Sequence, residues 1–174
     1  MQQASSNAMS VVGGMTRWCR WFTGTLVFEK LGYDTDEKYF NHEPQSVYES
    51  TDNKLLWDFK IQTNNNIKHN KPDIVVLDKI EWKCLIIGVP CLFNTLVKEK
   101  EKIENYQDLK WELKWIWKLH RVTVVPIIIG ALRTALKDKE KWLASEIGVT
   151  DHLESLHKAC LLGTSRILCK VLDT

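Results

Sequence analysis

Asp73 is followed eight residues later by Glu81-Trp82-Lys83, an acid and a lysine with one residue between them. Carboxylates can hold Mg²⁺ against a phosphate while a lysine steadies the attacking water or the developing charge, the needs of metal-assisted phosphodiester hydrolysis. The acids must converge for that chemistry, and the local pattern argues that these two do not. Asp73 to Leu77 is apolar and β-branched, Asp78 and Lys79 supply turn chemistry, and Trp82 to Val89 is apolar again, so the two runs read as a hairpin. With the turn centred near Ile80, antiparallel pairing sets Asp73 opposite Ile87 or Gly88. Glu81 then lies six or seven residues along the strand, roughly 20 Å away at ~3.3 Å per residue. Glu81 is expected to be a turn residue and not a partner of Asp73.

Other reactive side chains are scattered. Five cysteines form no C-x-x-C pair, which speaks against a disulfide framework or a zinc knuckle and points to a reducing compartment. His42, His120, His152 and His157 lack the i,i+4 spacing of a metal-binding helix pair. Lys60, Lys68, His69 and Lys71 surround the approach to Asp73, and such a loop can meet phosphates, each contact adding to a salt-dependent affinity. Asp58 either faces the same cleft or pairs with Lys60 or Lys71. The whole chain has 24 basic and 22 acidic groups, a balance of +2, so any grip on a polyanion has to be local. Eight tryptophans are present, and Trp111, Trp115 and Trp117 crowd one segment. Exposed, they could stack on bases; the plainer expectation is a helix covered on two sides, or a face once buried against a neighbouring domain.

The elements that must position these residues follow from periodicity. At 174 residues and 44% apolar content, one domain over 16–174 is expected, preceded by a disordered tail or cloning remnant at 1–15. The longest apolar run, Val122 to Leu132, is far short of the ~20 residues that span a bilayer. The expectation is a soluble, unsecreted protein without a membrane partner. A helix is predicted from Thr16 to Leu31, stopped by Gly32, and a short helix from Pro44 through Val47, Tyr48 and Glu49. Leu55 to Gln62 alternates, with Trp57, Phe59 and Ile61 on one side, and reads as a strand. With the hairpin it makes an antiparallel three-strand meander. Thr95 to Leu119 is predicted as one long helix with a stripe of Ile103, Tyr106, Leu109, Leu113, Ile116 and Trp117. Arg121 to Ile129 is a Val/Ile strand, doubly covered, with Pro126 marking a bulge or an edge. Strand, helix, strand implies a parallel pair. Two further helices, about 138–147 and 151–172, close the chain. The fold class is thus α/β, a three-layer α/β/α arrangement with a mixed sheet.

That element order is the core of the PD-(D/E)XK nucleases, and several ordered stretches resemble one branch closely. His42-x-Pro44-x-x-Val47-x-Glu49, Leu56-Trp57-Asp58-Phe59-x-Ile61-Gln62-Thr63 and Pro72-Asp73-Ile74-Val75-Val76 come first. Lys98-Glu99-x-Glu101-Lys102-Ile103-x-x-Tyr106-Gln107-Asp108-Leu109, Val125-Pro126-x-x-x-Gly130-Ala131-Leu132 and Leu161-Leu162-Gly163-Thr164-x-Arg166-Ile167-Leu168 follow. Together, from Tyr39 to Leu172, they resemble the C-terminal restriction-endonuclease-like domain of animal retrotransposon reverse transcriptase polyproteins. The resemblance implies a Mg²⁺-dependent nuclease that nicks DNA to prime reverse transcription, in the nucleus when it acts on DNA, with an upstream reverse transcriptase as a possible partner.

It also assigns roles. Asp73 takes the part of the first metal-binding acid. Glu49 could add a carboxylate from the preceding helix, as the first-helix acid does in the wider superfamily, or be a solvated glutamate. Lys98 and Lys102, one turn apart, could supply the lysine, or form part of a solvated face of i,i+4 pairs. The relatives carry an acid and a small apolar pair just before a proline, where this chain reads Ile86-Ile87-Gly88-Val89-Pro90. Gly88 stands where the second acid is expected. Losing that charge should weaken Mg²⁺ binding and positioning. The reading is therefore an endonuclease-like domain with impaired catalysis, or a non-catalytic remnant that binds nucleic acid or protein.

Overall fold

β-branched and aromatic residues in short runs, separated by Asn, Asp and Lys turns, build the sheet that carries Asp73. The computed structural model describes residues 20–21, 23–25, 27–33, 45–89 and 95–126, with 95–99 described for the backbone alone. The helices expected at 138–147 and 151–172 and the tail at 1–15 lie outside the described residues. Contacts group the chain into two compact units, one formed by Asp36–Gly88 with Leu96–Ile127, the other by the remaining segments.

In the second of these units, helix α1 has its described residues between 20 and 30. It ends as Gly32 predicts. Gly32 adopts φ +75, Tyr33 N–H donates to the Phe28 carbonyl at 3.0 Å and Gly32 N–H to that of Glu29 at 3.1 Å. This is the paired closure that a left-handed residue allows.

The other unit holds a five-stranded sheet in the order β1 (Val47–Glu49), β2 (Asn53–Trp57), β3 (Ile74–Asp78), β4 (Lys83–Gly88), β5 (Arg121–Pro126). The first four strands are antiparallel to their neighbours, and β5 runs parallel to β4. The expected meander and parallel pair are present, with one strand more than expected. Residues 47–49 are a strand and not the helix that Pro44 suggested. Val47 and Tyr48 favour extended backbone, and Ser50 closes a hairpin by accepting from Asn53 N–H at 3.1 Å on Oγ.

The strand expected over 55–62 stops at Trp57. Asp58 takes φ 44, a conformation an aspartate tolerates better than most residues. Its N–H turns to the Asp73 carbonyl at 2.9 Å. Phe59 is left exposed while Ile61 is buried.

Between β4 and β5 lie α2 (Thr95–Asn105) and α3 (Gln107–Ile116), where one helix was expected. The junction residue Tyr106 has φ −99 and ψ 6. The ladder still runs through it, from Tyr106 N–H to Lys102 at 3.2 Å and from Lys110 N–H to Tyr106 at 2.9 Å. The predicted stripe is the inner one. Tyr106, Leu109 and Leu113 join Leu56, Val75, Ile86, Val122 and Val124 in one apolar cluster, with Ile103 and Trp117 at its margin. Leu109 and Leu113 are fully buried, each contributing ~1.5–3 kcal/mol of transfer free energy. The other face of the sheet, through Leu55, Ile74, Val76, Ile87 and Val125, is buried as well. Both faces being covered is what a three-layer α/β/α arrangement requires.

Helix α3 ends with the same pair of bonds as α1, but with a lysine at the left-handed position. Lys118 has φ 51, Leu119 N–H donates to Lys114 at 3.0 Å and Lys118 N–H to Trp115 at 3.4 Å. No helix among the described residues is long and apolar enough to cross a membrane.

Candidate active site

The register fixes which side chains meet. Ile74 pairs with Ile87, so of the two residues hairpin geometry allowed, Asp73 falls opposite Gly88. Alternation along β3 places Asp73 on the same face as Val75, the face covered by α2 and α3. Behind Pro72, which is fully buried, the Asp73 side chain is only 8% exposed.

Its cationic neighbour comes from the helix. Lys102 Nζ stands 3.8 Å from Asp73 Oδ2 and 5.4 Å from the centroid of the Tyr106 ring. The distance is too long for a hydrogen bond but close enough for strong Coulomb attraction at a partly dry site. A Cβ placed on Gly88 would come 3.2 Å from Tyr106 Cε2 and 3.4 Å from Lys102 Cδ. A Cβ at position 88 would therefore rest against the stem of Lys102 and press on the edge of Tyr106, which would have to give by a few tenths of an ångström.

The other expected site residues lie elsewhere. Glu49 pairs across the sheet with Lys54, and Lys54 with Leu77. That separates Glu49 from Asp73 by four residues along a strand, about 13 Å, and two strand spacings, about 10 Å, across. Instead, Glu49 meets Lys79 at 2.8 Å and Lys54 at 3.2 Å. The Lys79 hydrogen bond and then Lys54 hold its carboxyl below the usual glutamate range. Glu49 and Asp73 cannot share one cation in this arrangement. Lys98 is on α2 one turn before Lys102, and its side chain is outside the described set. Lys60 and Lys68 are exposed in the segment joining β2 to β3, while Lys71 is paired with Asp58 at 3.1 Å. Glu81 sits in the turn, paired with Lys83, and its N–H, like that of Ile80, is held by Asp78 Oδ1 at 2.8–2.9 Å.

One buried acid escaped the sequence reading. Glu112 accepts from Asn64 N–H at 2.9 Å, Asn65 N–H at 3.3 Å and Asn65 Nδ2 at 2.8 Å, and is 8% exposed. It clamps the Asn-rich segment to α3. A signal existed: Glu112 falls three residues after Leu109 and one before Leu113, inside the apolar stripe, where a charged group needs partners.

Asp73 and Lys102 are an acid and one of the two candidate lysines brought together at this end of the sheet. Among the described residues there is no group of three or more His, Cys, Asp or Glu side chains able to hold a metal ion. No protein-family model matches the chain, and no curated protein is significantly similar to it.

Proposed function

We infer that this is a restriction-endonuclease-like domain of retrotransposon origin in which the Lys102 ammonium stands where a metal would be held, so that it does not cleave DNA. The carrying observation is the Asp73–Lys102 pair set into the space beside Gly88. The order of meander, helix and parallel strand, and the ordered stretches that resemble the C-terminal domains of such polyproteins, support the PD-(D/E)XK form of the fold. On this reading Asp73 is the remaining acid of the site, and its charge is met within the chain. The partners are DNA and an upstream reverse transcriptase, and the place of action is the nucleus.

Two measurements test it. Supercoiled plasmid incubated with the protein and Mg²⁺ stays intact; Mg²⁺-dependent nicking by the wild type that disappears in Asp73→Ala refutes the loss of cleavage. Gly88→Glu with Lys102→Ala restores an acid and removes the competing cation. Calorimetric titration with Mg²⁺ or Mn²⁺ then gains a binding event absent from the wild type. No gain in a folded double variant removes the site assignment.

A further inference from the structure

The outward face of α3 carries two tryptophans and a run of lysines that the Asp73 site does not use. Trp111 is 62% exposed and Trp115 75%. Their i,i+4 spacing sets the two about 5–6 Å apart at Cβ on one side of the helix. Lys110 and Lys114 place their Nζ atoms 5.9 and 5.8 Å from the centroid of the Trp111 ring. Lys118 joins Trp111, Trp115 and Asn64 in lining an open groove beside the helix.

Lysines predominate on this face, where the exposed Asp108, one turn before Trp111, is an acid beside the tryptophans. Glu112, the acid between the two tryptophans, is turned inward onto Asn64 and Asn65. Between Trp111 and Arg121 the sequence holds no other acidic residue. Among the described residues, Lys110, Lys114 and Lys118 take part in no ion pair.

The composition selects the occupant. Protein interfaces enrich tryptophan but deplete lysine, so another helix or a second copy would bury ammonium groups without counter-charges. A duplex offers phosphates but keeps its base faces stacked inside. A single strand offers both, and aromatic platforms beside basic side chains are how sequence-tolerant single-strand binding works. The 5–6 Å between their Cβ atoms exceeds the 3.4 Å repeat of a stacked strand, and so suits bases drawn apart, one to each ring.

We propose that this face of α3 binds single-stranded nucleic acid, with phosphates on Lys110, Lys114 and Lys118 and two adjacent bases stacked on Trp111 and Trp115. The site rests on α3 alone and stands whether or not Asp73 ever held a metal. Lys60 and Lys68, on the segment before β3, are not part of it.

The test uses the full chain and a fluorescein-labelled oligothymidine of about twenty nucleotides, long enough to span the usual site sizes. Binding is read by anisotropy and by quenching of intrinsic tryptophan fluorescence. Trp111→Ala with Trp115→Ala weakens binding about tenfold or more. Lys110→Gln with Lys114→Gln lowers the slope of log affinity against log salt by about 1.4, at ~0.7 per lost phosphate contact. All four side chains lie on the helix surface, and an unchanged urea midpoint shows that each variant folds. Several outcomes overturn the proposal: no binding by the wild type, or binding that survives the double tryptophan variant. So would a duplex of equal length bound as tightly without quenching, loss of affinity confined to Lys60→Ala with Lys68→Ala, or a dimer that the tryptophan variant dissociates.

Discussion

Replacing Lys102 with methionine removes the ammonium 3.8 Å from Asp73 while keeping an aliphatic stem against Gly88 and Tyr106. Two unit charges at about 4 Å are worth ~1 kcal/mol in water and ~4 kcal/mol at the effective dielectric near a protein surface. Lys102 is 29% exposed and Asp73 8%, so the coupling belongs between those limits, at about 2 kcal/mol. The measurement is a double-mutant cycle of Lys102→Met and Asp73→Asn, each followed by urea unfolding. With m of ~1–3 kcal/mol per molar urea, Lys102→Met lowers the midpoint by roughly 1 M. In the Asp73→Asn background the same change costs little, because the carboxylate that faced the ammonium is gone. Single-variant effects that add to within ~0.5 kcal/mol mean that the pair carries no coupling, and the idea of an internal cation fails.

Glu112→Ala removes the acceptor of two backbone N–H groups and one side-chain amide. It should cost about 2 kcal/mol, given ~1.5–3 for a hydrogen bond to a charged group and partial rehydration of the exposed asparagines. Faster amide exchange at Asn64 and Asn65 is the local sign, and unchanged exchange there contradicts the clamp. Glu49 titrates below its ordinary 4.5 because of Lys79 and Lys54. A depressed folded value means the pair's contribution is present above about 4.5 and lost as pH falls through the lower one. An NMR titration of the Glu49 carboxyl that Lys79→Ala leaves unmoved would contradict this. Burial pushes the Cys84 thiol up to about 12, so a disulfide reagent at about pH 8 modifies it only after unfolding. Rapid labelling in the native state would show that β4 is not covered.

The parts of the fold that follow from periodicity were legible. The Asp78-Lys79 turn narrows the β3–β4 register, setting Asp73 opposite Ile87 or Gly88 without any coordinates, and the pairing of Ile74 with Ile87 selects Gly88. The α2–α3 stripe is equally visible, since apolar spacing decides which side of a helix is buried. What failed depended on single residues overriding a pattern. Asp58 turns left-handed and ends β2 three residues before Ile61, although the alternation continues to Ile61 in the sequence. Val47 and Tyr48 join a sheet where a proline had suggested a helix start. Glu49 was placed near Asp73 on the strength of that helix; as a strand residue it falls at the opposite end of the sheet. Lys102 was one candidate of two. Helical spacing brings Lys98 and Lys102 to one side, and the 3.8 Å approach of Lys102 to Asp73 depends on where α2 crosses the sheet. The Glu112 clamp joins residues 47 and 48 positions apart, beyond the reach of local pattern.

The crowding at Gly88 also bears on mutational design. A side chain at that position needs the Tyr106 edge to give by a few tenths of an ångström, and a smaller residue at 106 opens that room while position 88 is still glycine. Substitutions at 88 and 106 are therefore coupled through one contact, and each is best judged in the presence of the other. Libraries that vary position 88 together with 106 sample what the backbone there can accept more fully than those that vary 88 alone.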